Sequence, residues 1–218
     1  MNRIITSYIL ILLLGLTMTS CGNHRASVEG TVELEERVIE TIMNNQEEGV
    51  FNRQDIVIDR IYYGSFSQED KKEAFVVCKI LGTVHVGGLG RKEGVIVDLT
   101  SLEVIAHRSF PYDDVSFSCL ENSNAQTRIL MIGTITYQGI STQDVCLLGV
   151  TENEWVNMPL KAIETIVDEN HFFYASEDSL LVTYLRPVSE KEVVLEELMW
   201  DSGTEQFVEA CDRFDMGQ

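Results

Sequence analysis

The residues of this sequence best suited to chemistry are few, and their spacing joins none of them into a familiar catalytic set. Gly87-Gly88-Leu89-Gly90-Arg91-Lys92 brings bare backbone amides together with two cations, a composition that meets phosphate or carboxylate well. It falls between two strand-like runs, not ahead of a helix, and lacks the spacing of a dinucleotide fingerprint. It therefore reads as a long hairpin loop, with Gly87, Gly88, Gly90, Arg91 and Lys92 as a ligand-contact surface. No Gly-x-Ser-x-Gly elbow, His-Glu-x-x-His zinc pair, Cys-x-x-Cys pair or phosphate-binding Gly-x-x-x-x-Gly-Lys-[Ser/Thr] occurs. The histidines are His24, His85, His107 and His171; strand histidines such as His85 and His107 read as surface or hydrogen-bonded structural residues. The carboxylates near Asp70 are followed by Lys71 and Lys72, which oppose a cation, so no calcium loop is expected. The expectation is no catalytic residue, no metal and no cofactor.

Five cysteines remain, and the first differs from the others. Met1-Asn2-Arg3 supplies a positive charge, Ile4 to Leu16 is a hydrophobic core, and Met18-Thr19-Ser20-Cys21 closes it. That core is shorter than the about 20 apolar residues of a membrane-spanning helix and has the length of a signal-peptide core. The arrangement resembles the signal peptide and lipobox of bacterial lipoproteins: an aliphatic residue three before the cysteine, two small residues, then the obligatory thiol. The resemblance implies a thioether-linked diacylglycerol on Cys21, cleavage before it, and acyl chains such as palmitate, which together anchor stably. Residues 1–20 are then a signal peptide, and residues 21–30 the lipidated cysteine and a polar tether spanning at most about 30 Å. Gly22 is not the aspartate that retains many Gram-negative lipoproteins in the inner membrane. The implied location is the bacterial cell envelope, facing outside the cytoplasm. It is the outer membrane in a Gram-negative cell and the outer face of the cell membrane in a Gram-positive one. Cys78, Cys119, Cys146 and Cys211 permit two disulfides in three connectivities. Cys78 and Cys146 fall in apolar runs, where a free cysteine packs as a small hydrophobe, and buried thiols are expected.

The elements that hold these residues show in the periodicity. Leu34, Val38, Ile39, Ile42 and Met43 recur at helical spacing, predicting a helix over 32–48 with Thr31 as N-cap and Gly49 as its stop. From residue 55 onward the sequence turns to short Val-, Ile-, Tyr- and Phe-rich runs broken by Gly, Asn, Asp and Ser, which are strand signals. Twelve such runs fall into units of about 50 residues with four strands each. The units lie at 55–110, 112–160 and 169–211. The last hairpins, VDLTSLEVI, LGVTENEWV and LMWDSGTEQFV, are the best matched.

Residues 55–210 resemble the blade repeats of β-propellers. Closed propellers use at least four blades, and three leave a sheet edge open. The expected fold is mainly β: an N-terminal α-helix, then about three four-stranded antiparallel repeats, propeller-like but incomplete or open. A β-sandwich or a large antiparallel sheet with one helix is the alternative. Residues 31–218 are expected to form a single domain.

Charge narrows the partners. Sixteen basic residues face 35 acidic ones, a net charge of −19 that repels phosphate backbones and argues against nucleic acid. In the aromatic pairs Tyr62-Tyr63 and Phe172-Phe173-Tyr174, neighbours face opposite sides of a strand, so at least one of each enters the core. The expected role is a non-catalytic binding or scaffold module held to the membrane through the lipid on Cys21, with an unidentified protein or glycan partner. The alternatives are an envelope hydrolase with dispersed catalytic residues and a structural subunit of a membrane-associated assembly.

Overall fold

The computed structural model describes residues 28–46, 51–82, 91–138, 140–158, 160, 171–176, 179–185 and 193–209. The chain divides into two units, Met1–Thr31 and Val32–Gln218. The described residues of the first are Val28–Thr31, which open a helix.

That helix, α1, runs Val28–Asn44. Leu34, Val38 and Ile42 are buried along one face, with Ile39 and Met43 packed beside them, as the periodicity predicts. Both ends differ from expectation. Thr31 lies inside the helix, not at its cap, because Gly30 costs an interior helix position only about 1 kcal/mol and does not stop it. The start at Val28 takes in the end of the segment read as a tether. At the other end the backbone turns before Gly49. The Asn45 side-chain amide donates to the Thr41 carbonyl at 2.8 Å and satisfies one of the terminal acceptors.

A 3-10 turn at Arg53–Asp55 then leads into the strands, with the Asn52 backbone N–H donating to Asp55 Oδ2 at 2.8 Å. The first sheet holds β1 (Ile56–Gly64), β2 (Glu73–Ile80), β3 (Arg91–Asp98) and β4 (Val104–Phe110). The second holds β5 (Asp114–Glu121), β6 (Thr127–Tyr137), β7 (Ile140–Thr151) and β8 (Glu154–Met158). The third holds β9 (His171–Ser176), β10 (Ser179–Leu185), β11 (Val193–Asp201) and β12 (Gln206–Glu209). Each sheet is an antiparallel meander in chain order, and none closes into a barrel. Among the described residues the fold is thus mainly β, with one helix ahead of three four-stranded repeats in an open, propeller-like array.

Strand alternation sets the layers. On β2, Ala74, Val76, Cys78 and Ile80 face α1, while Phe75 and Val77 face the second sheet. On β6, Ile129 and Met131 return that contact, and Leu130 and Ile132 face the third sheet. Central strands buried on both sides read as continuous apolar runs, which explains EAFVV and RILMI. Phe75 is the hub between the first two sheets, with ring centroids 5.2 Å from Phe117, 5.7 Å from Trp155 and 5.8 Å from Tyr62. Gly94 makes room for this cluster: a Cβ there would come within 2.7 Å of both Phe75 and Phe110.

The equivalent hairpins turn by related means. Asp98 Oδ1 accepts from the backbone N–H groups of Thr100 and Ser101 at 2.7 and 3.0 Å. Asp201 Oδ1 accepts from Gly203 N–H at 2.9 Å in the third sheet. Between β7 and β8, Glu152 and Asn153 both take positive φ, 53° and 64°, the geometry of a two-residue hairpin loop. Aromatic pairs split as expected: Phe173 is buried while Tyr174 is exposed, and Tyr62 packs inward while Tyr63 does not.

Candidate functional site

Two clusters of polar side chains emerge from this scaffold, one on each face of the first sheet. They share β3, where Arg91 and Lys92 are consecutive and therefore point to opposite sides.

On the α1 side Arg91 meets a buried carboxylate. Glu93 is 1% exposed, forms an ion pair with Arg91, and accepts hydrogen bonds from Ser109 Oγ at 2.7 and 2.9 Å. His107 Nε2 lies 2.9 Å from Glu93 Oε2, and Arg91 Nη2 donates to Ser109 Oγ at 2.6 Å. Burial pushes the Glu93 carboxyl upward, but hydrogen bonds from His107 and Ser109 and the charge of Arg91 outweigh it and hold the group below its ordinary value. Cys78, directly opposite Glu93 across β2 and β3, is pushed up to about 12 by burial and then by the Glu93 charge. Serine, histidine and glutamate here do not form a nucleophile–base relay. The Ser109 hydroxyl donates its hydrogen bond to the carboxylate, and His107 turns its Nε2 to the same carboxylate. The Cys78 thiol stays protonated. This cluster neutralises a carboxylate buried under the helix.

On the other side Lys92 reaches the seam between the first strands of adjacent sheets. There the Tyr62 hydroxyl on β1 donates to the Phe117 carbonyl on β5 at 2.9 Å. A cavity of ≈ 250 Å³ opens between them to solvent. Val77, Val115 and Phe117 are among its lining residues, all buried. Lys92 Nζ donates to the Val115 carbonyl at 2.9 Å and pairs with Asp59 at 3.3 Å. The rim is polar: Asp59 and Arg60 on β1, Asp114 and Ser116 on β5.

A backbone irregularity builds that rim. The β1–β2 register runs Ile58↔Cys78 and then Arg60↔Val77, so Asp59 is an extra, unpaired residue in a β-bulge. In a regular strand two consecutive residues point to opposite faces. The bulge lets Asp59 and Arg60 both line the cleft while Ile56, Ile58 and Ile61 all stay against α1. The signal was present in the sequence as an apolar spacing of two, then three, in Ile-Val-Ile-Asp-Arg-Ile.

Of the residues singled out in the sequence, Arg91 and Lys92 are placed, and each is engaged by a carboxylate of its own sheet. Gly87, Gly88 and Gly90, with His85, lie outside the described residues, as do Cys21 and Cys211. Cys78 and Cys146 are free thiols, Cys78 buried and Cys146 half-buried. Among the described residues, no three His, Cys, Asp or Glu side chains are grouped to hold a metal ion, and no helix is long and apolar enough to cross a membrane. No protein-family model matches the chain, and no curated protein matches it.

Proposed function

We propose that this chain is a lipid-anchored protein of the bacterial envelope, tethered at Cys21, and works as a non-catalytic binding module with its ligand in the cleft between β1 and β5. The observation that carries the binding reading is the bulge at Asp59, which turns two adjacent charged side chains into one solvent-open, polar cavity. Bulges of this kind re-aim side chains beside functional sites. The anchor rests on the Met18-Thr19-Ser20-Cys21 pattern after an apolar core of signal-peptide length.

The hydrolase alternative would draw on Ser109, His107 and Glu93, the one place where such residue types meet among the described residues. Their hydrogen bonds converge on the carboxylate and leave the serine without a base, which favours the binding reading.

The test is thermal unfolding of the detergent-purified full chain against glucose, N-acetylglucosamine, phosphate, citrate, spermidine, leucine and leucyl-leucine. A ligand that binds the folded state raises the midpoint. At least one compound should do so for the wild type and fail to do so for Arg60→Gln combined with Asp114→Asn. No shift with any compound, or a shift that survives the double substitution, overturns the binding reading.

A further inference from the structure

We infer that the cleft between β1 and β5 takes a small zwitterion, the chemistry shared by a free amino acid and a dipeptide. The inference rests on the binding reading above and specifies its ligand. Four charges surround the cavity, and two of them answer each other: Lys92 and Asp59, 3.3 Å apart. The other two have no ion-pair partner among the described residues. Arg60 is exposed, its guanidinium carbon 5.9 Å from the centre of the Tyr62 ring. Asp114 is exposed across the seam, and one of its oxygens accepts the adjacent Val115 N–H at 2.9 Å.

The site therefore offers one cation and one anion without an ion-pair partner among the described residues, both lining a single cavity. A guanidinium forks onto a carboxylate with two parallel hydrogen bonds, and a carboxylate receives an ammonium equally well. A simple anion would face Asp59, Asp114 and a net charge of −19 over the whole chain. A simple cation would face Arg60 and Lys92. A molecule carrying both charges matches each wall without leaving the opposite wall unpaired. Val77, Val115 and Phe117 also line the cavity but are buried, so polar groups make up most of its surface, and the ≈ 250 Å³ volume lies below the about 300 Å³ at which pockets for drug-sized ligands begin. The size limit excludes long peptides from full enclosure and fits one or two residues.

The experiment is isothermal titration of the full chain in detergent with leucine, leucyl-leucine, N-acetylleucine and leucinamide. Leucine or leucyl-leucine should bind, and their ratio tells the free amino acid from the dipeptide. N-acetylleucine, which lacks the ammonium, and leucinamide, which lacks the carboxylate, should each bind about tenfold more weakly or worse. In Arg60→Gln, leucine should fall to the affinity of leucinamide; in Asp114→Asn, it should fall to that of N-acetylleucine. Both positions are exposed, and an unchanged melting midpoint without ligand confirms that the variants fold. Blocked forms binding as tightly as leucine, or none of the four binding, overturns the inference. If none of the four binds while a sugar, anion or polyamine still stabilises the wild type through Arg60 and Asp114, the ligand class is wrong and the binding module stands. If no compound does so, both fall.

Discussion

Arg128 Nε lies 2.8 Å from Glu205 Oε2, and this pair ties the start of β6 to the last hairpin of the third sheet. Asn122 Nδ2 donates to the other Glu205 oxygen at 3.0 Å, and Trp200 Nε1 reaches the Glu121 carbonyl at 2.7 Å. The Arg128 hydrogen bond lowers the Glu205 carboxyl below its ordinary value of 4.5, against a smaller upward push from burial. A depressed carboxylate stabilises the fold fully above its unfolded value and loses that contribution as the pH falls through its folded value. Unfolding free energies of wild type and Arg128→Ala from urea titration should therefore differ by about 1–2 kcal/mol at pH 7, and the difference should shrink as the pH falls below 4.5. A difference that is unchanged at acid pH contradicts the pairing.

Glu93 is the more deeply placed carboxylate, and removing its charge strands its partners. Glu93→Ala should destabilise the protein by about 3–5 kcal/mol in urea unfolding, because Arg91 and His107 lose their acceptor beneath α1. Its folded value is also lowered, so the stabilisation is present above the ordinary 4.5 and fades as the pH falls below it. A surface-like loss of a few tenths of a kcal/mol would contradict the burial.

The seam between the first two sheets depends on one hub. Phe75→Ala should cost about 3–5 kcal/mol. Gly94→Ala should also destabilise, by about 1–3 kcal/mol, since its methyl group would press on the rings of Phe75 and Phe110. A neutral Gly94→Ala in a denaturant titration would contradict the close approach.

Thiol chemistry separates the folded protein from the unfolded one. With its thiol near 12, Cys78 is thiolate in about one molecule in 10,000 at pH 8. Iodoacetamide should leave Cys78 unmodified in the native protein and alkylate it in guanidinium, read by peptide mass spectrometry. Rapid native labelling of Cys78 would contradict its place under α1.

Much of this fold was legible because its signals are local. EAFVV and RILMI declare strands covered on both faces, and the hairpins around Asp98 and Asp201 fix where the first and third sheets turn. The helix was legible in its face but not in its ends: Leu34, Val38 and Ile42 set the stripe, while the limits depend on Gly30 being tolerated and on Asn45 closing the last turn. The site was harder to see. Arg91 and Lys92 look like one basic pair in the sequence, yet strand geometry sends them to opposite faces and different carboxylates. Glu93, His107 and Ser109 meet only through the β3–β4 register, which a sequence does not display. The bulge at Asp59 was written in the broken spacing of Ile56, Ile58 and Ile61, but only the pairing with β2 gives it meaning.

The claim on which the account depends is that this fold works from a lipid anchor at Cys21. Mass spectrometry of the N-terminal peptide from the membrane-extracted protein tests it most directly. The account predicts a peptide beginning at Cys21 whose thiol carries diacylglycerol, and its loss, with release from the membrane, in Cys21→Ala. An unmodified peptide beginning anywhere other than Cys21 would contradict it.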